Sequence, residues 1–162
     1  MPANSSIQRA AAIGLSYQQL LPLAEAALRA DAPVLLRGHP GVGKSALAQE
    51  LAQRLGLPIL DLRLAQKDPA ELAGIYAPNL ERTALQLLPP DWALTLSQRP
   101  MLLFLDEINA AVTKLHQAAA YQMVLERRVG PLQFHPDTRV LAAGNLDDDR
   151  ALAAPLSSAL LN

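Results

Sequence analysis

A glycine-rich segment, residues 38–45, constrains this chain more than any other stretch of its sequence. It reads Gly-His-Pro-Gly-Val-Gly-Lys-Ser and satisfies the pattern G-x-x-x-x-G-K-[ST]. An apolar run at 33–36 precedes it, and leucines at helical spacing follow it at Leu47, Leu51 and Leu55. The segment therefore lies between a predicted strand and a predicted helix. In that context, backbone N–H groups and the positive end of a helix converge on an anion.

Each part of this loop has a predicted task toward a nucleoside triphosphate. The glycines allow the backbone to turn tightly and to approach phosphate oxygens. Lys44 is predicted to place its ammonium near the β- and γ-phosphates, and Ser45 to offer a hydroxyl to Mg2+. The alternative is a glycine-rich turn that binds nothing, which the strand-to-helix context disfavours. The predicted nucleotide-binding residues are Gly38, His39, Pro40, Gly41, Val42, Gly43, Lys44, Ser45 and Ala46.

Composition narrows the class of protein. A length of 162 residues favours one domain, and a net charge of -1 gives no basic excess for a nucleic-acid partner. The absence of cysteine removes disulfides and thiolate metal sites, and the three histidines have no metal-ligand spacing. The longest strongly apolar run, Met101 to Leu105, is too short to span a bilayer, and no secretion signal is indicated. We therefore expect a cytoplasmic protein without membrane or nucleic-acid partners.

The amino-terminal part of the chain is predicted to hold a leader and one helix. Residues 1–15 are expected to be a flexible leader. Ser16 and Gln19 have the spacing of a capping box for the helix that follows. Pro22 would kink such a helix, so an alternative start lies at Pro22 itself. Residues 16–162 are predicted to form one nucleotide-binding domain of the α/β class.

Apolar runs farther along the chain predict the strands of a parallel sheet. Residues 57–63 are compatible with a strand, 101–105 form a continuous apolar strand, and 140–143 form the last clear one. A helix is predicted between the last two strands, with Val112, Leu115, Ala119 and Met123 on its core face. The alternation of strands and helices predicts a parallel sheet flanked by helices, with ligands at the carboxyl ends of the strands.

Other stretches depart from this alternation. Residues 69–72 predict a short helix, and 74–79 a turn region. Residues 74–92 are the least regular part of the middle of the chain and are interpreted as an insertion. Gly130 and Pro131 predict a turn that makes a hairpin of the residues on either side.

Polar residues stand at the carboxyl ends of two predicted strands. Asp106 is predicted to hold Mg2+ through a coordinated water, and Glu107 to orient and deprotonate the water that attacks the γ-phosphate. Asn145 follows the next strand and is predicted to hydrogen-bond the γ-phosphate or that water. The alternatives are a solvated strand end for the two acids and an ordinary turn residue for Asn145. With the phosphate loop present, the sequence favours Lys44, Glu107 and Asn145 as catalytic residues, and Ser45 and Asp106 as metal ligands.

Taken together, these segments resemble the AAA+ ATPases, and within them the MoxR-like group, which carries an insert in its second helix. The segments that carry the resemblance are GHPGVGKS at 38–45, LLFLDEINAA at 102–111, LERRVG at 125–130, VLAAGN at 140–145 and LSSALLN at 156–162. The phosphate loop and acidic pair alone indicate a P-loop ATPase, and the other runs narrow the resemblance to MoxR-like proteins. Residues 69–92 then correspond to the helix-2 insert and 127–138 to the hairpin before the sensor strand.

The resemblance implies a Mg2+-dependent ATPase that works as a homo-oligomeric ring, remodels a protein substrate and often has a von Willebrand A-type partner. In this group, a segment like 156–162 is followed by an arginine that reaches the neighbouring subunit's nucleotide, and then by a helical lid. The sequence stops one residue before that arginine, so the resemblance implies a missing lid subdomain. An arginine finger contributes about 10³ to 10⁵ in rate. We therefore expect binding without efficient turnover.

Two other functions stay open from the sequence. A nucleotide-binding interaction module, which binds ATP without hydrolysing it, fits the missing arginine. A small P-loop kinase fits the length of 162 residues. The adjacent Asp106 and Glu107, Asn145 and the lack of an arginine-rich lid segment argue against the kinase.

Overall fold

The computed structural model of the chain describes residues 14–110 and 113–146. Most of the predicted leader, Val112 and the segment 156–162 lie outside the described residues, so the predicted domain boundaries stay predictions. The helices are α1 (Tyr17–Arg29), α2 (Lys44–Leu55), α3 (Pro69–Ala73), α4 (Asp91–Gln98) and α5 (Lys114–Tyr121). The strands are β1 (Val34–Arg37), β2 (Ile59–Arg63), β3 (Ile75–Pro78), β4 (Leu85–Leu88), β5 (Leu102–Asp106), β6 (Arg128–Val129), β7 (Leu132–Gln133) and β8 (Arg139–Gly144).

The main sheet is parallel and follows the order β1-β8-β5-β2. Neighbouring strands in this sheet are distant in sequence, as the pairing of Val34 with Leu141 shows. Within the described part of the chain, no helix is long and apolar enough to cross a membrane. The predicted α/β fold, a parallel sheet flanked by helices, is confirmed.

Both faces of the sheet are buried because the side chains of β5 alternate between two apolar layers. Leu102 and Phe104 pack with the buried leucines of α1 and α2. Leu103 and Leu105 belong to the opposite layer, which includes buried residues of α3, α4 and α5. A strand buried on both faces must be apolar along its length, which explains the continuous run that predicted β5.

The first helix begins where its capping box predicts. The N–H group of Ser16 donates to Gln19 Oε1 at 3.0 Å, and α1 starts at the next residue, Tyr17. Pro22 lies inside α1, so the alternative start at Pro22 is wrong. Proline removes one helical N–H donor, and burial of Leu21 and Leu28 on the core side of α1 offsets that loss.

The prediction of a turn region at 74–79 within an irregular insertion is wrong. These residues start a β-hairpin in which β3 and β4 pair antiparallel, with Tyr76 opposite Leu87. The amide oxygen of Asn79 closes the hairpin by accepting the N–H group of Thr83 at 2.9 Å. No residue of β3 is fully buried, so burial imposes no alternating apolar pattern on this strand. Regular structure then resumes at α4, which no sequence pattern predicted.

The helix after β5 confirms Ala119 and Met123 on its core face, but the prediction of Leu115 on that face is wrong. Leu115 is 66% exposed, and the buried positions of this segment are His116, Ala119, Ala120 and Met123. The ring of His116 explains this orientation, since Nδ1 lies 2.7 Å from Thr113 Oγ1 and Nε2 lies 2.8 Å from the carbonyl oxygen of Lys67. These two contacts draw the His116 side of the helix inward and leave Leu115 outside. The helix then widens into a π-helical turn at Gln122–Glu126.

The predicted hairpin around Gly130 and Pro131 is confirmed, because β6 and β7 pair antiparallel on either side of that turn. The guanidinium of Arg127 connects this hairpin to the start of β1. Its Nη1 donates to Asp31 Oδ1 and its Nη2 to the carbonyl oxygen of Asp31, both at 2.7 Å. These bonds tie the segment before β8 to the turn before β1. The strands β1 and β8 pair with each other beside the phosphate loop.

Candidate functional site

Three adjacent strands of the sheet end at one edge, and the residues singled out from the sequence gather there. The register pairs Arg37 of β1 with Gly144 of β8, and Leu105 of β5 with Ala142 of β8. The glycine-rich loop follows β1, Asn145 follows β8, and Asp106 is the last residue of β5. Parallel pairing therefore brings together groups that lie more than 60 residues apart in the chain.

The glycine-rich loop passes directly into α2, with Gly43 at the N-cap position. Gly41 and Gly43 have φ angles of 78° and 93°, which residues with a Cβ rarely adopt. The exposed residues of the loop and the first turn are His39, Pro40, Gly41, Val42, Ser45 and Ala46. Because the first N–H groups of a helix have no partner within it, this exposed turn offers donors to an anion.

The ammonium of Lys44 is held between the loop and β8. Its Nζ donates to the carbonyl oxygens of Gly38 at 2.7 Å and His39 at 3.0 Å. A third bond, also 3.0 Å long, reaches Oδ1 of Asn145. An ammonium has three donors, so each is matched by an oxygen here. The residue predicted to bind phosphate and the residue predicted to touch the attacking water are therefore in direct contact.

Oxygen donors from α2 and β5 meet beside this contact. The hydroxyl of Ser45 donates to Asp106 Oδ2 at 3.4 Å, and the other carboxylate oxygen of Asp106 accepts the N–H group of Glu107 at 2.8 Å. Residues 14–110 and 113–146 contain no group of three or more His, Cys, Asp or Glu side chains able to hold a metal. Mg2+ commonly takes one or two protein oxygens, with water and phosphate completing its shell. This hydroxyl and carboxylate fit that donor set.

Glu107 forms the turn at which the chain leaves β5. Its φ angle is 56°, a left-handed conformation that costs a residue with a side chain about 1–3 kcal/mol. No hydrogen bond or ion pair to another described residue holds its carboxylate. The structure places Glu107 next to Asp106, but its carboxylate forms no hydrogen bond or ion pair with Lys44, Ser45 or Asn145.

The neighbouring strand β2 carries the carboxylate of Asp61, whose pKa responds to the charge of Asp106. Burial raises the pKa of Asp61, and the negative charge of Asp106 raises it further, whereas Arg63 lowers it. Arg63 pairs with Asp106 in the register of β2 and β5, and its Nε lies 3.9 Å from Asp61 Oδ2. The field of Asp106 thus reaches β2.

Asn109 received no role from the sequence, yet it contacts Asn145. Its side-chain Nδ2 donates to the carbonyl oxygen of Asn145 at 2.8 Å, and its Oδ1 accepts the N–H group of Asn145 at 2.9 Å. Asn109 is 4% exposed. A Cβ on Gly144 would lie 3.0 Å from Asn109 Oδ1, so a side chain at this position would crowd the contact. A single asparagine after an acidic pair gives no local signal of such a contact.

Comparison with known proteins finds curated relatives and a solved structure of the same fold. ATPase family gene 2 protein homolog B of Bos taurus is 36% identical over 123 residues, which is 75% of this chain and 13% of that protein. An uncharacterized AAA domain-containing protein of Schizosaccharomyces pombe is 33% identical over 96 residues, 59% of this chain and 11% of that protein. The chain thus spans a small part of these curated relatives.

A crystal structure of a proposed ATPase from Cytophaga hutchinsonii has the same fold. Its TM-score is 0.59 at 19% identity, over 89% of this chain and 42% of the other. Residues 34–157 match the family model described as the ATPase family associated with various cellular activities, AAA. That match runs from β1 and the glycine-rich loop to beyond Asn145, and so includes every strand end described above. The chain therefore belongs to the AAA family of ATPases.

Proposed function

We propose that this chain binds Mg-ATP at the edge formed by residues 38–46, Asp106 and Asn145, and hydrolyses it with Glu107 as the general base. The observation that carries the proposal is the 3.0 Å contact between Lys44 Nζ and Asn145 Oδ1. It joins a phosphate-binding lysine to the residue best placed to touch the γ-phosphate. Membership of an ATPase family supports both binding and hydrolysis.

The residues divide the work by their chemistry. Lys44 would move from the loop carbonyls to phosphate oxygens, which are stronger acceptors because they are charged. Ser45 and Asp106 would hold Mg2+, which when bound neutralises phosphate charge. Glu107, whose carboxylate has no described partner, would accept the proton of the attacking water. Asn145 uses Oδ1 for Lys44 and keeps its Nδ2 donors for a phosphate oxygen or the water.

We further propose that the chain is the core of a MoxR-like AAA+ protein, which remodels a protein substrate as a homo-oligomeric ring, with a von Willebrand A-type partner. The sequence segments that resemble this group support the assignment. The chain spans only 11–14% of the length of the curated relatives. A composition without cysteine supports a reducing compartment, and we propose the cytoplasm.

Phosphate release from Mg-ATP tests the proposed chemistry. We expect slow hydrolysis by the wild-type chain, and we expect Glu107→Gln to lose about 10² to 10⁴ of that rate, because the variant keeps the shape of the side chain without its basicity. Glu126→Gln is the matched control, since Glu126 pairs with Arg128 near the hairpin β6–β7 and not at the strand ends. Its rate should equal that of the wild type.

The outcomes separate the candidate functions. Tight Mg-ATP binding with no turnover by the wild-type chain would favour a nucleotide-binding module. Equal rates for Glu107→Gln and the wild type would exclude Glu107 as the base. Turnover that rises with protein concentration, together with a larger mass in light scattering, would support a ring, since head-to-tail contacts repeat until the ring closes.

A further inference from the structure

The backbone of Asn145 lies at the point where β8 loses its strand partner on one side. Pairing between β8 and β5 ends with Ala142 opposite Leu105. Pairing between β8 and β1 continues to Gly144. The N–H and C=O groups of Asn145 therefore need another partner if the residue is to keep a fixed orientation.

The side chain of Asn109 supplies that partner. Its amide offers one donor and one acceptor in a plane, as a backbone peptide does. Both are used on the same residue, with Nδ2 2.8 Å from the carbonyl oxygen of Asn145 and Oδ1 2.9 Å from its nitrogen. Two bonds to one peptide-like group restrain Asn145 in position and rotation. We call this pair of bonds the amide clamp.

The clamp is enclosed by its surroundings. Asn109 is 4% exposed, so water has little access to replace either bond. A Cβ on Gly144 would meet Oδ1 of Asn109 at 3.0 Å and Cγ2 of Ile108 at 3.3 Å. A methyl group at residue 144 would therefore crowd the clamp and require these neighbours to shift.

The clamp also joins the two halves of the candidate site. Asn109 lies in the short 3₁₀ turn Ile108–Ala110, two residues after Glu107. On its other side, the side chain of the clamped Asn145 accepts a hydrogen bond through Oδ1 from Lys44 Nζ at 3.0 Å. One rigid unit therefore fixes the turn after the acidic pair relative to the contact between β8 and the phosphate loop.

We propose that Asn109 is a positioning residue for ATP hydrolysis, which aligns the side chain of Asn145 with the γ-phosphate and with the water at Glu107. This inference rests on the proposed function. Asn109 itself touches neither nucleotide nor water in this scheme. Its loss should lower kcat and leave nucleotide binding nearly unchanged, because misplacement of a catalytic group by about 1 Å costs about 10² in rate.

The first test measures the clamp without nucleotide. Amide hydrogen exchange at Asn145 should become faster in Asn109→Ala, since the acceptor of its N–H group is removed. Asn79→Ala is a matched control, because Asn79 also uses its side chain to accept backbone N–H groups, those of Thr83 and Ala84, in the distant hairpin β3–β4. That variant should leave exchange at Asn145 unchanged. Unchanged exchange in Asn109→Ala would overturn the clamp.

The second test measures kinetics in single and double variants. We expect kcat to fall about 10²-fold in Asn109→Ala, with KM changed less than about threefold. In the background of Asn145→Ala, the same substitution should cause no further loss, because Asn109 acts through Asn145. An additive loss would indicate a structural role and overturn the proposal. If Asn109→Ala does not fold, Gly144→Ala takes its place, since the added Cβ displaces Asn109 Oδ1 and retains every polar group.

The failure of this inference differs from the failure of the proposed function. A wild-type chain that hydrolyses ATP, with an Asn109→Ala variant of equal kcat, overturns the positioning role alone. A wild-type chain that binds no Mg-ATP and has no turnover overturns the proposed function, and the positioning role with it.

Discussion

The ammonium of Lys44 and the amide oxygen of Asn145 lie 3.0 Å apart although 101 residues separate them in the chain. Lys44 is the first residue of α2, and Asn145 follows β8. Parallel pairing of β1 with β8 brings the two together, because the loop before α2 leaves the same edge of the sheet as Asn145. Nucleotide binding and the placement of Asn145 therefore share one hydrogen bond.

Replacement of Asn145 should separate catalysis from binding. We expect Asn145→Ala to lower kcat by about 10²-fold, a loss typical of removing one hydrogen-bond donor aimed at transition-state charge. Affinity for Mg-ATP should change much less, because Lys44 keeps its two carbonyl acceptors and its access to phosphate. Phosphate release and equilibrium binding of a fluorescent ATP analogue measure the two effects.

Asn145→Asp is the sharper companion to that variant. It keeps an oxygen acceptor for Lys44 but removes the donor and adds a negative charge near the triphosphate. We expect it to lose turnover and also to weaken binding. Wild-type turnover in either variant would show that Asn145 does not contact the reacting groups.

Replacement of Asp106 should act through the metal. We expect Asp106→Asn to weaken ATP binding in Mg2+ and to have little effect in EDTA, because a neutral amide is a poorer Mg2+ ligand than a carboxylate. Binding titrations under both conditions measure the difference. Asp137→Asn is the control, because Asp137 lies in the loop before β8, at the opposite edge of the sheet. An equal loss of affinity with and without Mg2+ would contradict the assignment of Asp106.

The residues at the strand ends of the candidate site were predictable because each belongs to a local sequence pattern. The glycine-rich loop has a fixed spacing, and the run that ends in Asp106 is apolar because β5 is buried on both faces. Asn109 was not predictable in this way. Its role depends on the adjacency of β5 and β8, which pairing across the sheet determines and no short segment encodes.

The elements of the fold that were not predicted from the sequence were missed for similar reasons. The strands β3 and β4 are four residues each and partly exposed on both faces, so neither alternation nor length marks them. Their stability depends on pairing with each other and on the Asn79 side chain. Helix α4 spans 8 residues, little more than two turns, which is too short for a clear apolar period. Leu115 was misplaced because the bonds of His116 to Thr113 and Lys67 determine which face of α5 turns inward.

A pair of variants on one helical segment tests the burial of Met123 and the exposure of Leu115. Met123 is fully buried, and we expect Met123→Ala to lower the free energy of unfolding by about 2–5 kcal/mol. Leu115 is 66% exposed, and Leu115→Ala should change it by less than about 0.5 kcal/mol. Urea denaturation followed by circular dichroism measures both. A larger loss for Leu115→Ala than for Met123→Ala would contradict the exposed position of Leu115.

The most direct test of the central claim is the effect of Mg-ATP on the thermal unfolding of the chain. At about 100 times its dissociation constant, a ligand adds about 2.7 kcal/mol of stability, which for a domain of this size raises Tm by about 5–10 °C. We expect this rise in the wild-type chain and in Arg99→Ala, which removes an exposed cation before β5 at the opposite edge of the sheet. Lys44→Ala should lose most of it. No rise at millimolar Mg-ATP in the wild type, or the same rise in Lys44→Ala, would contradict an ATP site at the glycine-rich loop.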